Sequence, residues 1–235
     1  MFVSSTAIAK IPLPTEQMKF AYGDRSLKLE RLDLAEIASR TIEHYDKQAD
    51  QFWKGTCNHD VSQNIEALLQ HIQGQPPYCI LYFGCGPGRD LKTLRDLGHF
   101  AIGLDGASHF VRMARAHSGC EVWQQEFFNL ALPDEHFDGV FANASLFHVP
   151  KAVLARVLSQ LRASLKKEGV LFSSNPRGSN EEGWLAGRYG VFHDIDSWRT
   201  YLVAAGFVEL THYYRPLGLP REQQPWLASV WRRSD

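Results

Sequence analysis

Apolar residues recur along this chain in two rhythms that change at about residue 79. Before it the period is helical. Leu32 to Ser39 has the spacing of a helix, a second helical stretch covers about 41–53, and a third begins near Asp60, an N-cap residue by type. That third run sets Ile65, Leu68, Leu69 and Ile72 on one face, and Gly74 with Pro76-Pro77 stops it. After residue 79, short apolar runs at 79–83, 100–104, 120–124, 137–143, 168–175, 207–214 and 226–233 read as strands. Helical periods fill 89–97, 107–117, 151–166 and 194–205. Gly98, Gly169 and Gly206 stand where helices hand over to strands, as C-terminal cap glycines do. The alternation predicts an α/β fold with a mostly parallel sheet and helices on both faces. Pro216, Gly218, Leu219 and Pro220 join the last two strands in place of a helix, so the final strand is expected to return antiparallel. Residues 1–30 show no sustained period and read as an extended N-terminal arm.

Composition narrows the choice of partner. With 235 residues, 44% hydrophobic and 22% charged, the chain fits one globular domain with a few additions. A net charge of −1 supplies no basic surface and speaks against nucleic acid as a partner. No apolar run reaches the length of a membrane span, so no membrane association is expected. The four cysteines, Cys57, Cys79, Cys85 and Cys120, form no CxxC pair, so no metal is expected and a reducing, cytoplasmic setting fits.

The candidate chemistry lies at the strand ends. Ile80-Leu81-Tyr82-Phe83 runs into Gly84-Cys85-Gly86-Pro87-Gly88. A tight structural turn would look like this and need no ligand. A phosphate loop would want Lys-Ser/Thr after its glycines, where Arg89-Asp90 stands. A dinucleotide fingerprint would want its third glycine one residue later than Gly88. A nucleoside-like ligand is the fourth reading, since glycines allow close backbone approach. Ala101-Ile102-Gly103-Leu104 ends on Asp105, whose carboxylate suits two ribose hydroxyls or the N-cap of the following helix. Gln125-Glu126-Phe127 follows the third strand; it reads as an adenine edge or as a surface glutamate beside a core phenylalanine. Asn143-Ala144-Ser145 closes the fourth strand. All four strand ends fall on one rim, where open α/β sheets bind ligands.

Taken in this order, these segments resemble the class I S-adenosylmethionine-dependent methyltransferases. Phe137-Asp138-Gly139-Val140-Phe141-Ala142-Asn143 and Leu165-Lys166-Lys167-Glu168-Gly169-Val170-Leu171 add to the resemblance, which spans about residues 40–235. It implies a Rossmann-like seven-stranded sheet with a reversed final hairpin, a domain over 31–235, and a cap-like insertion at about 176–193. It implies S-adenosyl-L-methionine as cofactor and S-adenosyl-L-homocysteine as product. Gly84, Cys85, Gly86 and Gly88 would then border the methionine part, Asp105 with Gly106 the ribose, Glu126 and Phe127 the adenine, and Asn143 the methionine side. Tyr45 would close the site from the helix before the first strand. One departure stands out: the family commonly has an acid two positions before the first glycine, and this chain has Tyr82.

Over such a pocket, Tyr45 and Trp53 would wall cofactor or substrate, or pack an amphipathic helix on the sheet. His148 would be a general base, by its near-neutral pKa, or a packed histidine. Tyr189, His193 and Tyr214 join the substrate candidates. Arg177, Arg188, Arg215 and Arg221 lie among aromatic residues and suit an anionic acceptor. The leading expectation is a methyltransferase acting on a small, anionic molecule. Methylation of an RNA base, or a cofactor-binding partner subunit without catalysis, are the alternatives.

Overall fold

The computed structural model describes residues 34–235; the arm expected over 1–30 lies outside the described residues. Three helices come first: α1 (Leu34–Lys47), α2 (Ala49–Thr56) and α3 (Ser62–Leu69). The alternating part follows as β1 (Cys79–Phe83), α4 (Arg89–Asp96), β2 (Phe100–Asp105), α5 (Ser108–Ser118), β3 (Val122–Gln124) and β4 (Phe137–Asn143). A 3-10 turn at Leu146–His148 leads to α6 (Lys151–Ser164) and β5 (Leu165–Pro176). A hairpin of β6 (Glu181–Leu185) and β7 (Arg188–Phe192) precedes α7 (Ile195–Ala204), β8 (Phe207–Arg215) and β9 (Trp226–Arg233).

The seven-stranded sheet has the order β3-β2-β1-β4-β5-β9-β8. Pairings from β3 through β5 are parallel, and β9 runs antiparallel to both β5 and β8. The reason is visible in β1. Leu81 and Phe83 pack on the face that carries α6 and α7, while Ile80 and Tyr82 pack on the opposite face with α3, α4 and α5. Both faces are covered, so the strand is an unbroken apolar run rather than an alternating one. Ile80, Leu81 and Phe83 are wholly buried, each contributing roughly 1.5–3 kcal/mol relative to exposure. Strand order places β1 beside β4 at the centre, so the crevice opens above the ends of β1, β2 and β4.

Several boundaries differ from the sequence reading. The helices expected at 32–39 and 41–53 form α1 and α2, broken at Gln48, whose backbone N–H bonds Tyr45 O. The break turns Phe52 toward the ring of Tyr45. The third helix starts at Ser62; Asp60 accepts from the Ser62 N–H at 2.9 Å and so caps from two residues upstream. Gly98 and Gly206 have the expected positive φ, but Gly169 lies inside β5. There the left-handed residue is Glu168, in a bulge that shifts the register between Phe137↔Leu165 and Gly139↔Val170. The expected strand at 168–175 is therefore longer, starting at Leu165.

The hairpin within 176–193 was not expected as strands. Its signal is a two-residue turn, Ala186-Gly187, with φ of 48° and 85°, as tight hairpins of twisted strands require. The flanking residues are too polar and glycine-rich to announce strands.

Candidate active site

The glycine turn is folded by its neighbours. The N–H groups of Gly84 and Cys85 both donate to Leu104 O, at 2.8 and 3.0 Å, which ties the end of β1 to the end of β2. Ser145 Oγ donates to Phe83 O at 2.7 Å from the β4 side. The three glycines serve different ends. A Cβ on Gly84 would stand 2.4 Å from Ser145 Cβ, and one on Gly88 would stand 2.7 Å from Ala114 Cα in α5. Those two glycines permit packing inside the protein. Gly86, at φ +52°, would meet nothing nearer than Phe52 at 3.9 Å, so it alone leaves open space above the turn. Of the three, Gly86 is the one where a missing side chain leaves room on the open side of the turn. Cys85 turns its thiol inward, against the space left by Gly103.

Asp105 sits at the centre of this arrangement. Its Oδ2 accepts from Gly86 N and its Oδ1 from Ala107 N, both at 2.9 Å. It thus holds the turn and the start of α5 together; of the two readings of its place in the sequence, the bond to Ala107 N fits the helix-capping one. Burial pushes its pKa up to about 6, against the pull of backbone N–H groups and with a further push from Asp46. Asp46 Oδ1 accepts from His109 N at 2.7 Å, so a carboxylate of α1 caps the N-terminus of α5.

Beside Gly106 a cavity of about 550 Å³ opens between α1 and the end of β3. Ile42, Asp46, Gly106, Gln125 and Glu126 are among its lining. Its size is that of ordinary small-ligand sites. Phe127 is not free to face it squarely: its ring stacks on Phe83 with centroids 4.2 Å apart.

Above Asp105 stands a polar chain from three elements. The Tyr45 hydroxyl lies 2.8 Å from His148 Nε2. His148 Nδ1 lies 2.6 Å from Tyr189 O, and a carbonyl only accepts, so Nδ1 carries the proton and Nε2 accepts from Tyr45. Arg188 donates to the Tyr45 oxygen at 3.2 Å. Burial lowers the His148 pKa to about 3, with Arg188 and His44 adding to it. Burial raises that of Tyr45. Thr41 Oγ1 accepts from Tyr189 N at 3.1 Å and completes the seam between α1 and the hairpin.

The remaining candidates divide. Asn143 Oδ1 accepts from Nδ2 of the buried Asn64 at 2.9 Å, and Asn64 Oδ1 accepts from Tyr213 OH at 3.0 Å. Trp53 packs on His117 of α5. His193 is buried with Nδ1 on Asn180 Oδ1, and burial lowers its pKa to about 4. The arginines do not act as one group. Arg177 donates to Gln224 O and Arg221 O, at 2.7 and 2.5 Å, clamping the loop before β9. Arg215 donates to Asp60 O at 3.3 Å, and Arg221 lies 3.1 Å over the Tyr214 ring. Of the four, only Arg188 bonds the Tyr45–His148 pair. Tyr82, at the position where the family has an acid, donates to Asp90 Oδ2 at 2.9 Å, and Asp90 is gripped by Arg89. Asp46, Asn64 and Thr41 were missed, because their roles come from contacts across 60 residues or more that no local spacing announces.

Comparison with known proteins agrees with this fold. Residues 80–169 match a family described as "Methyltransferase domain". The chain is similar to the 1,6-didemethyltoxoflavin-N1-methyltransferase of Burkholderia thailandensis, 18% identical, with 100% of this chain and 99% of that chain covered and a TM-score of 0.68. It is similar in fold to the [4+2]-cyclase SpnF at 16% identity, covering 84% of this chain and 96% of that chain, with a TM-score of 0.65. A 37.1 kDa protein in transposon TN4556 of Streptomyces fradiae is 26% identical over 162 residues, 66% of this chain. This chain spans about half of that relative, with 46% of its length covered. Fold and matched segment point to one class: residues 80–169 resemble a methyltransferase domain, and the chain has the fold of S-adenosylmethionine-dependent methyltransferases of solved structure. The matched segment runs from β1 to the β5 bulge and so contains the glycine turn, Asp105 and His148.

Proposed function

We propose that this protein methylates a small molecule, taking the methyl group from S-adenosyl-L-methionine and releasing S-adenosyl-L-homocysteine. The observation that carries the reading is Asp105, a buried carboxylate bonded to the open glycine turn and followed in the chain by Gly106, which lines the cavity. The residues present fit such a cofactor. Gly86 leaves space that a side chain would close, Asp105 offers acceptors for a diol, and Gln125 and Glu126 border the cavity with groups that pair with a heterocycle edge. When bound, the cofactor supplies an electrophilic methyl carbon on a positively charged sulfur. The protein's share is alignment and exclusion of water. His148 is buried between α1, which carries Tyr45, and the β6–β7 hairpin, which favours a small acceptor over a polymer. We read 31–235 as one methyltransferase domain with that hairpin as its cap, and four free thiols suit the cytoplasm.

Two other readings have a motivating observation. SpnF, a cyclase, shares the fold, so the fold alone does not fix the reaction. Tyr82 in place of an acid is the feature of a subunit that binds cofactor without using it. Methylation of RNA draws no support from a net charge of −1.

The test is calorimetric titration with S-adenosylhomocysteine, then incubation with labelled cofactor and a deproteinised, RNase-treated metabolite extract. Asp105→Ala should weaken binding about 10- to 100-fold, the loss expected for hydrogen bonds to a charged group. An unchanged affinity in that variant would remove the placement, and label entering RNA alone would replace the acceptor class.

A further inference from the structure

Arg188 differs from the other arginines considered for substrate binding. Its guanidinium has no carboxylate within 4 Å among the described residues, and its one hydrogen bond there goes to the Tyr45 hydroxyl. Four of its five N–H donors therefore have no protein acceptor in this region. It also lies over the Tyr45 ring, 5.7 Å from the centroid. Ala186 and Gly187, both at positive φ, turn the chain just before it, and a Cβ on Gly187 would stand 2.8 Å from His44 Nδ1. The turn is thus seated on α1 and carries Arg188 to the Tyr45–His148 pair.

His148, meanwhile, has no nitrogen to spare. Nδ1 is committed to Tyr189 O and Nε2 to Tyr45. An imidazole bonded at both nitrogens, beside a cation, orients a hydroxyl but does not collect a proton.

We propose that Arg188 selects a methyl acceptor that carries negative charge at or beside its nucleophilic atom, and that His148 is a positioning residue for Tyr45 rather than a base. The proposal rests on the methyltransferase reading above and names the acceptor class of that same site: a carboxylate, or a phenol, enol or thiol acidic enough to be ionised near neutral pH. The chemistry then balances without a base. A lone pair of the acceptor anion forms the bond to the methyl carbon, the carbon–sulfur bond breaks, and its electron pair returns to sulfur. No proton is released, and one positive and one negative charge disappear together. Arg188 holds the acceptor anion, and Tyr45 borders the reacting atoms from the side.

Of the groups facing His148, Arg188 and His44 oppose protonation of the ring and the Tyr189 carbonyl favours it. His44 and Tyr45, the ring's hydrogen-bond partner, come from α1 and Arg188 from β7, while the carboxylate of Asp105 in β2 acts on Tyr45. Positive charge from Arg188 opposes protonation of the ring, in keeping with its lowered pKa.

The experiment passes the deproteinised extract over an anion exchanger at pH 8 and assays retained and unretained fractions with labelled S-adenosylmethionine. Acceptor activity is expected in the retained fraction. With that fraction, Arg188→Ala should lower kcat/KM about 10- to 100-fold, mostly through KM, with Arg188→Lys recovering part of it. Both variants should bind S-adenosylhomocysteine within about twofold of the parent. His148→Gln keeps an acceptor for Tyr45 and should retain at least about a tenth of kcat, where loss of a true base costs about 100- to 10,000-fold. The pH profile of the parent should follow the acceptor's own ionisation with no histidine limb.

Acceptor activity in the unretained fraction, an Arg188→Ala enzyme as good as the parent, or a histidine limb that His148→Gln abolishes would each overturn the proposal. Binding of S-adenosylhomocysteine with no transfer to either fraction would defeat the methyltransferase reading itself, and no binding at all would defeat the cofactor site.

Discussion

The hydroxyl of Tyr45 lies 2.8 Å from Nε2 of His148, a bond between residues 103 positions apart that fastens α1 to the turn after β4. Removing that hydroxyl leaves a buried ring nitrogen without its donor and Arg188 without its acceptor. Tyr45→Phe should therefore cost roughly 1–3 kcal/mol of stability, the usual effect of unsatisfying a buried polar group. Denaturant unfolding measures it, and a loss below about 0.5 kcal/mol would mean that the bond does not hold the helix down.

The three glycines of the turn should separate by experiment. Gly84→Ala drives a methyl group to 2.4 Å from Ser145 Cβ, and Gly88→Ala drives one into the α5 backbone at 2.7 Å, both at positive φ. Each should destabilise by about 3 kcal/mol or more, through clash and backbone strain together. Gly86→Ala meets only open space and should cost about 1 kcal/mol in folding. Its main effect should appear in S-adenosylhomocysteine affinity. Thermal melts and calorimetry on the three variants decide it; equal losses of stability would show that Gly86 is packed like the others.

Acid should loosen the fold through two rings. Burial lowers the pKa of His148 to about 3 and that of His193 to about 4, below the ordinary value of 6.5. The unfolded chain therefore binds more protons than the folded one once pH drops below 6.5. The stability these neutral rings supply is complete above that pH and is lost on acidification toward 4, by about 1 kcal/mol per pH unit for each ring. His193→Phe should flatten the fall of the thermal midpoint between pH 6.5 and 5.

Asp105 acts in the opposite sense. Its folded pKa of about 6 lies above the ordinary carboxylate value of 3.8, so charging it costs folding energy above pH 6. A ligand diol prefers the charged form. Affinity for S-adenosylhomocysteine should thus weaken by up to about tenfold per pH unit below 6 and level off above 7. Calorimetry across pH 5–8 reads this directly, and a flat profile would mean that the carboxylate is already ionised throughout.

How much of this was legible differs between sheet and site. Parallel strands buried on both faces write themselves as apolar runs, and β1 and β4 fell where such runs predicted; the antiparallel β8 and β9 also fell within a residue of the expected ranges. The place of Asp105 was legible too, as a carboxylate that ends β2 ahead of a helix, where it accepts from Ala107 N. The arginines were not: Arg177, Arg215 and Arg221 look like Arg188 in sequence, and only the carbonyls around them show that the first two are already engaged. The β6–β7 hairpin was hidden because its apolar contacts lie with α1, as Ile37 against Tyr189 and Val191, and not with the main sheet. A tertiary contact of that kind leaves no period in the local pattern.

The seating of α1 has a temporal consequence. The hollow at Gly106 is open at its outer end, whereas Asp105 and His148 are buried next to the helix, which reaches His148 through Tyr45. Any visitor long enough to span both must present its outer half first, while the inner half waits for bonds from Thr41, Tyr45 and Asp46 to let go. Departure reverses that sequence, so under the proposed methyltransferase reading turnover should be clocked by how often one helix of 14 residues lifts, rather than by how fast a methyl carbon changes hands.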